Sequence, residues 1–366
     1  MKKLVFVVVF VLVLFFIPNV ALAADIPLAA GGDLVAAVAG ASSGDRIILE
    51  AGTYNLASQL VIDKDISIVG AGESNTEIQI DWNSPSTAAA DQGAIYVTAG
   101  NSLDISNLTL DGSGNTVFAG IYSDGNVNAS NMVVSNIFWN TGSYYGFGMR
   151  LMGGTNNVTL VEMSNIYRVG CYVGNSTTYI SYFTYHGKGD GDWLDYGIEV
   201  ERGGTAYIDN AYIENCTGVA LSDGSGSGGI LATTWFNPGT TAHITNSEFV
   251  NNSVDIFVGY QTDDTTVVTV SDSILSLGQK IQVSNPALTV DAKNKYWGTN
   301  DMAAVIADLG NVNIDVDPIE TRAASTQATN PQTGYKTNLF VYFLTAAVLL
   351  MGSIFAIITI RKKSNS

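Results

Sequence analysis

Nothing constrains this chain more than a short apolar–variable–apolar triplet that returns along most of its length. It reads Ile95-Tyr96-Val97, Ile121-Tyr122-Ser123, Met149-Arg150-Leu151, Cys171-Tyr172-Val173 and Ile198-Glu199-Val200. It continues with Val219-Ala220-Leu221 or Ile230-Leu231-Ala232, then Ile256-Phe257-Val258 and Ile281-Gln282-Val283. Most neighbouring copies lie roughly 21 to 28 residues apart, the period of a repeat unit that cannot bury its apolar face alone. A second series falls between the triplets: Leu103 to Asn107, Val127 to Asn131, Ala206 to Asn210, Ala242 to Asn246 and Val268 to Asp272. Further asparagines follow at Asn136, Asn215 and Asn251. Each repeat therefore holds short strands of period-2 burial broken by Gly- and Asn-bearing bends. Stacked coils pair strand on strand at about 4.8 Å, and asparagines at one bend can form an amide ladder. A β-sandwich would ask for hairpins and would not need Asn at the same bend in coil after coil.

Residues 32–39 read as a short helix that caps the open edge of the first coil. Gly44-Asp45-Arg46-Ile47-Ile48-Leu49-Glu50-Ala51-Gly52-Thr53-Tyr54 and Ile66-Ser67-Ile68-Val69-Gly70-Ala71-Gly72 follow, and Asn294-Lys295-Tyr296-Trp297-Gly298-Thr299 stands near the other end. These stretches resemble the opening and closing coils of the right-handed parallel β-helix, pectin-lyase-like family. The resemblance covers residues 31–320 and implies an all-β fold, a right-handed parallel β-helix solenoid with a short N-terminal capping helix. It does not fix an activity, because this fold carries lyases, hydrolases, adhesins and proteins without chemistry.

The termini read as targeting segments. Met1-Lys2-Lys3, an apolar run over residues 4–17 and Ala21-Leu22-Ala23 form a signal peptide, 1–23, cut before Ala24. Residues 339–360 carry no charge and are long enough to span a membrane, with Arg361-Lys362-Lys363 as the cytoplasmic stop. Asn330-Pro331-Gln332-Thr333-Gly334 precedes that span, and the arrangement resembles a sortase sorting signal. The resemblance implies cleavage between Thr333 and Gly334 and attachment of Thr333 to peptidoglycan. The expected organisation is thus 1–23 signal peptide, 24–320 β-helix, 321–329 Ser/Thr/Ala-rich spacer and 330–366 sorting signal. The location is extracellular and cell-wall anchored, with sortase, peptidoglycan and, before processing, the membrane as partners.

Charge removes one function class. There are 16 Lys+Arg against 33 Asp+Glu, the formal charge is −17, and every acid lies between Asp25 and Glu320. A nucleic-acid partner needs a basic footprint that is missing here. Cys171 and Cys216 fall at different places on the coil and are expected to be free, buried thiols. A monomer is expected.

The middle residue of each triplet should point outward, so Tyr96, Tyr122, Arg150, Tyr172, Glu199, Ala220 or Leu231, Phe257 and Gln282 form one column. Such a column suits a groove for an extended glycan, since sugar rings stack on flat apolar faces. An ordinary exposed sheet also favours aromatic residues. Excursions at 137–146 and 185–196 would wall the groove, with 222–238 extending it. The expected substrate contacts are Tyr96, Tyr122, Tyr172, Trp139, Tyr144, Tyr145 and Trp193. Candidate catalytic groups are Glu199, Asp195 and Arg150, with Glu201, His186, Arg168 and Arg202 close in sequence. Asp190, Asp192 and Asp195 could hold Ca²⁺, or could form an acidic loop without a metal. The paired-Asp and Gly-His-Gly signatures of polygalacturonases are absent, as is an Arg-rich match to pectate lyases. A neutral glycan is the easier substrate for so acidic a chain. Three readings follow: a wall-anchored polysaccharide binder without turnover, a glycoside hydrolase or Ca²⁺-dependent lyase, and an adhesin or stalk for protein partners.

Overall fold

The computed structural model describes residues 23–85, 93–139, 145–275, 281–293, 296–297, 299–309, 314–316, 319 and 321. Tyr144, Thr333, Gly334, the apolar run of the signal peptide and the 339–360 span lie outside the described residues. Among those described, no helix is long and apolar enough to cross a membrane.

The triplets become one 9-stranded parallel sheet, and the intervening series a 16-stranded one. The register of the first runs Ile95, Ile121, Met149, Cys171, Ile198, Ile230, Ile256, Ile281. Every one of these side chains is buried in a single continuous core. Of the two alternatives after Ile198, the ladder uses Ile230. Val219 lies off this ladder, with an antiparallel bridge to Gly226 inside the excursion that delays the next coil. This is the parallel β-helix that the repeats and the resemblance implied.

The 16-stranded sheet covers two sides of the coil because its long strands bend. In Ser102–Asp111, Asn126–Ser135, Thr155–Ser164 and Thr177–His186 the buried positions shift phase halfway along. The shift sits at a single left-handed residue: Asn107, Asn131, Leu160 and Tyr182, with φ from 52° to 58°. Asparagine tolerates this conformation because its short amide bonds locally. Asn131 donates to Asn107 across 2.7 Å, and a second ladder repeats this from Asn165 to Asn136 and from Asn251 to Asn215.

Helix α1, Leu34–Gly40, closes the first coil with Leu34 and Val38 turned inward. Asp33 caps its start by accepting from the Ala36 N–H, and Lys64 Nζ donates to the carbonyls of Val38, Ala39 and Ala41 at its end. Helix α2, Met302–Leu309, lies near the other end. Cys171 and Cys216 are free and buried, as expected.

Candidate functional site

A cleft of about 440 Å³ opens on the outer face of the 9-stranded sheet, within the ~300–1,000 Å³ of small-ligand sites. Its floor is the outward column at Arg150, Tyr172, Glu199 and Leu231, adjacent by strand register. Tyr145 stands on one wall. Trp235, Phe236 and Tyr260 form the rim, 46%, 53% and 51% exposed.

Most of the column is not solvated, which corrects the sequence expectation. The excursions fold over the sheet, and the outward residues pack with them into a second apolar cluster that includes Phe118, Tyr122, Trp139, Phe147, Tyr172 and Tyr196. Aromatic rings one coil apart are near enough to pack on each other. Tyr122 and Trp139 are buried in this cluster away from the cleft, and Tyr96 leans on Tyr122 while donating to Asp124 across 2.9 Å. Trp193 belongs to its own loop, donating to the Gly189 carbonyl. Of the expected contacts, Tyr145 and Tyr172 therefore line the cleft, whereas Tyr96, Tyr122, Trp139 and Trp193 do not.

Two glutamates face the cleft from one strand, Tyr196–Glu201. Period-2 alternation puts Glu199 and Glu201 on the same face, their Cα atoms ~6.6 Å apart at ~3.3 Å per residue. Glu199 is ion-paired to Arg168, whose Nη2 lies 3.2 Å from Oε1 and 3.0 Å from Oε2. Glu201 accepts a hydrogen bond from the Tyr172 hydroxyl and has Arg202 Nε at 3.3 Å. Burial, with the Glu199 charge beside it, raises the Glu201 carboxyl to about 7, although Tyr172 and Arg202 pull the other way. Burial and the same two glutamates push the Tyr172 phenol far above its ordinary value. Arg202 and Gly203 are successive left-handed residues, φ 55° and 75°, and this tight turn ends the strand. The Arg202 guanidinium sits 3.7 Å from the Phe236 ring centroid, while its Nε donates to Tyr172 Oη at 3.0 Å.

Asp195 is not in the cleft. It is fully buried, accepting from the Tyr185 hydroxyl and the Lys188 N–H, with Lys188 Nζ 3.7 Å away. Lys188 Nζ also donates to the carbonyls of Ile166 and Tyr167, so this pair bolts the loop to the solenoid. Asp190 and Asp192 are exposed, and Asp192 accepts from the Leu221 N–H. The three aspartates do not converge, and among the described residues no group of three His, Cys, Asp or Glu is placed to hold a metal. The carboxyl that lines the cleft beside Glu199 is Glu201 rather than Asp195. The signal for it was the strand alternation, which carries Glu199 and Glu201 to one face while Asp195 precedes the strand.

The architecture is that of a parallel β-helix with a lateral cleft. No protein-family model and no curated protein matches the chain. Among solved structures it is similar to a PL6 family alginate lyase, with a TM-score of 0.47 and 16% identity over 73% of this chain and 38% of that one. It thus spans less than half the length of that protein. It is also similar to an alginate lyase from Paenibacillus sp., TM-score 0.43 and 14% identity over 68% of this chain and 94% of that one. A third is pectin methylesterase PemA from Erwinia chrysanthemi, TM-score 0.43 and 10% identity over 84% and 92%.

Proposed function

We propose that this is an exported cell-surface protein whose lateral cleft binds a polysaccharide and cleaves it at the Glu199–Glu201 pair. One observation carries the reading: two carboxyls share a cleft but not an environment, Glu201 being held toward its protonated form near neutral pH while Glu199 is ion-paired to Arg168. A carboxyl held toward its protonated form beside a second one paired with a guanidinium is an arrangement that can supply the acid and the second carboxyl of glycoside hydrolysis. Glu201 would donate its proton to the glycosidic oxygen as the C–O bond breaks. Glu199, as carboxylate, would either attack the anomeric carbon or take a proton from the attacking water. The exposed rings of Trp235, Phe236 and Tyr260 would stack sugars at the rim. Location at the cell wall rests on the terminal segments, the signal peptide over 1–23 and the sorting signal with Thr333 and Gly334.

The test is mass spectrometry of products after incubation with neutral and acidic polysaccharides, with and without a chelator. Fragments carrying one added water, lost in Glu201→Gln and Glu199→Gln, are expected. Unsaturated fragments would replace hydrolysis with elimination. Unaltered polymers that the protein nevertheless retains would mean binding without turnover.

A further inference from the structure

We propose that Arg150 is a receptor for one oxyanion, a carboxylate or sulfate carried by the glycan, and that the sugar at the glutamate pair is uncharged. This rests on the glycan reading of the cleft. Three arginines line it. Arg168 is taken by Glu199, and Arg202 by Glu201, the Tyr172 hydroxyl and the Phe236 ring. Arg150 differs from both. Among the described residues its guanidinium has no carboxylate partner, and its Nε is buried without an acceptor.

Four aromatic rings surround it instead: Tyr172 at 4.8 Å, Phe147 at 4.9 Å, Phe118 at 5.2 Å and Tyr122 at 5.7 Å to the centroids. Rings can stabilise the cation but cannot accept its N–H bonds as an oxyanion does, and a planar guanidinium fork matches a carboxylate or sulfate bidentately. Arg150 is itself part-exposed and lines the cleft, so an oxyanion there would meet its charge with no carboxylate of the described residues competing for it.

The register gives the spacing. Arg150 pairs with Tyr172, which pairs with Glu199. Two coil steps of ~4.8 Å place the Arg150 backbone about 9.6 Å along the axis from the backbone of the pair. The captured charge therefore sits on a different sugar from the one that reacts. At the pair itself the two other guanidinia are already engaged by Glu199 and Glu201, so neither is free to receive an oxyanion on the reacting sugar. The favoured ligand is a heteroglycan with spaced charges, which revises the expectation of a neutral substrate and also disfavours a homopolymer charged on every residue.

The experiment is calorimetric titration of the full chain with D-glucuronate, D-glucose 6-sulfate and D-glucose. The wild type is compared with Arg150→Gln, Arg150→Lys and a distant control, Arg46→Gln. One anionic sugar per chain should bind at least about tenfold more tightly than glucose. Arg150→Gln should erase the preference, and Arg46→Gln should keep it. Arg150→Lys retains the charge without the fork and should lie between them, which keeps the test valid if the Gln variant folds poorly. The better of the two anions identifies the group. Equal binding of glucose, a preference that survives Arg150→Gln, or two equivalents per chain would overturn the proposal. Polymer cleavage without any anion preference would sink this inference and leave the glycan reading standing. An Arg150-dependent preference with no polymer bound or cleaved would sink the glycan reading and leave the oxyanion site.

Discussion

Replacing Leu160 by asparagine should stabilise the protein, although it removes an apolar side chain. Leu160 occupies the bend held by Asn107 and Asn131 in the preceding coils, at φ 55°. The left-handed conformation costs a residue such as leucine roughly 1–2 kcal/mol, and asparagine much of that less. The strand register sets position 160 beside Asn131, so the new amide can extend the ladder for about 1 kcal/mol. Leu160 is only partly buried, and losing its contacts costs about 1 kcal/mol by area. The balance is a gain of about 1 kcal/mol, or a rise of about 1–2 °C in Tm for a chain of this size. Differential scanning calorimetry of wild type, Leu160→Asn and Leu160→Ala checks it. The alanine variant loses the contacts and keeps the left-handed bend, so it should fall below wild type. Equal destabilisation of both variants would refute the strain-and-ladder account.

Three further outcomes are expected. Glu201 has a native value of about 7 against 4.5 ordinarily, so the native state binds the extra proton and loses stability as pH rises from 4.5 through 7; Glu201→Gln should flatten that part of the Tm–pH curve, and an unchanged curve would contradict the assignment. His186 is raised to about 9 from 6.5 by Glu162 and Glu214, against partial burial. Its contribution should be complete below 6.5 and vanish as pH rises through 9, so the Tm gap between wild type and His186→Gln should close across that window. Burial raises the Cys171 thiol to about 12 and Cys216 upward as well; neither should react with an alkylating reagent at pH 8 in the native protein, and both should react in denaturant. Rapid labelling of the folded chain would mean that the core opens.

The coil was legible in the sequence because burial has period two and the bends carry a chemical label. Ile95 through Ile281 and Asn107, Asn131, Asn210 and Asn246 recur at the same points of the repeat. Leu160 and Tyr182 interrupt the asparagine series, and only the register shows that they share the same bend. The site was half legible. Glu199, Arg150 and Tyr172 fall in the cleft because outward direction follows from strand parity, and Tyr145 reaches it from the excursion ahead of its strand. Exposure does not follow from parity, since it depends on where the excursions land. Tyr122 and Trp139 were therefore expected at the surface and lie in a second core. Asp195 misled for a related reason: an acidic residue next to a cleft-lining strand looks catalytic in sequence, whereas its side chain turns inward to Tyr185 and Lys188.

The cleft floor takes one side chain from each coil, and this makes its length an independent variable. Each coil contacts mainly its immediate neighbours, as in other repeat architectures. Duplicating one coil would lengthen the floor by ~4.8 Å while every inward ladder simply gained a rung. The Glu199–Glu201 pair sits within a single strand and would be untouched by such growth. In this architecture the length of the cleft floor and the chemistry at any one position along it can evolve by separate events, the first by whole-coil duplication and the second by substitution within a single coil.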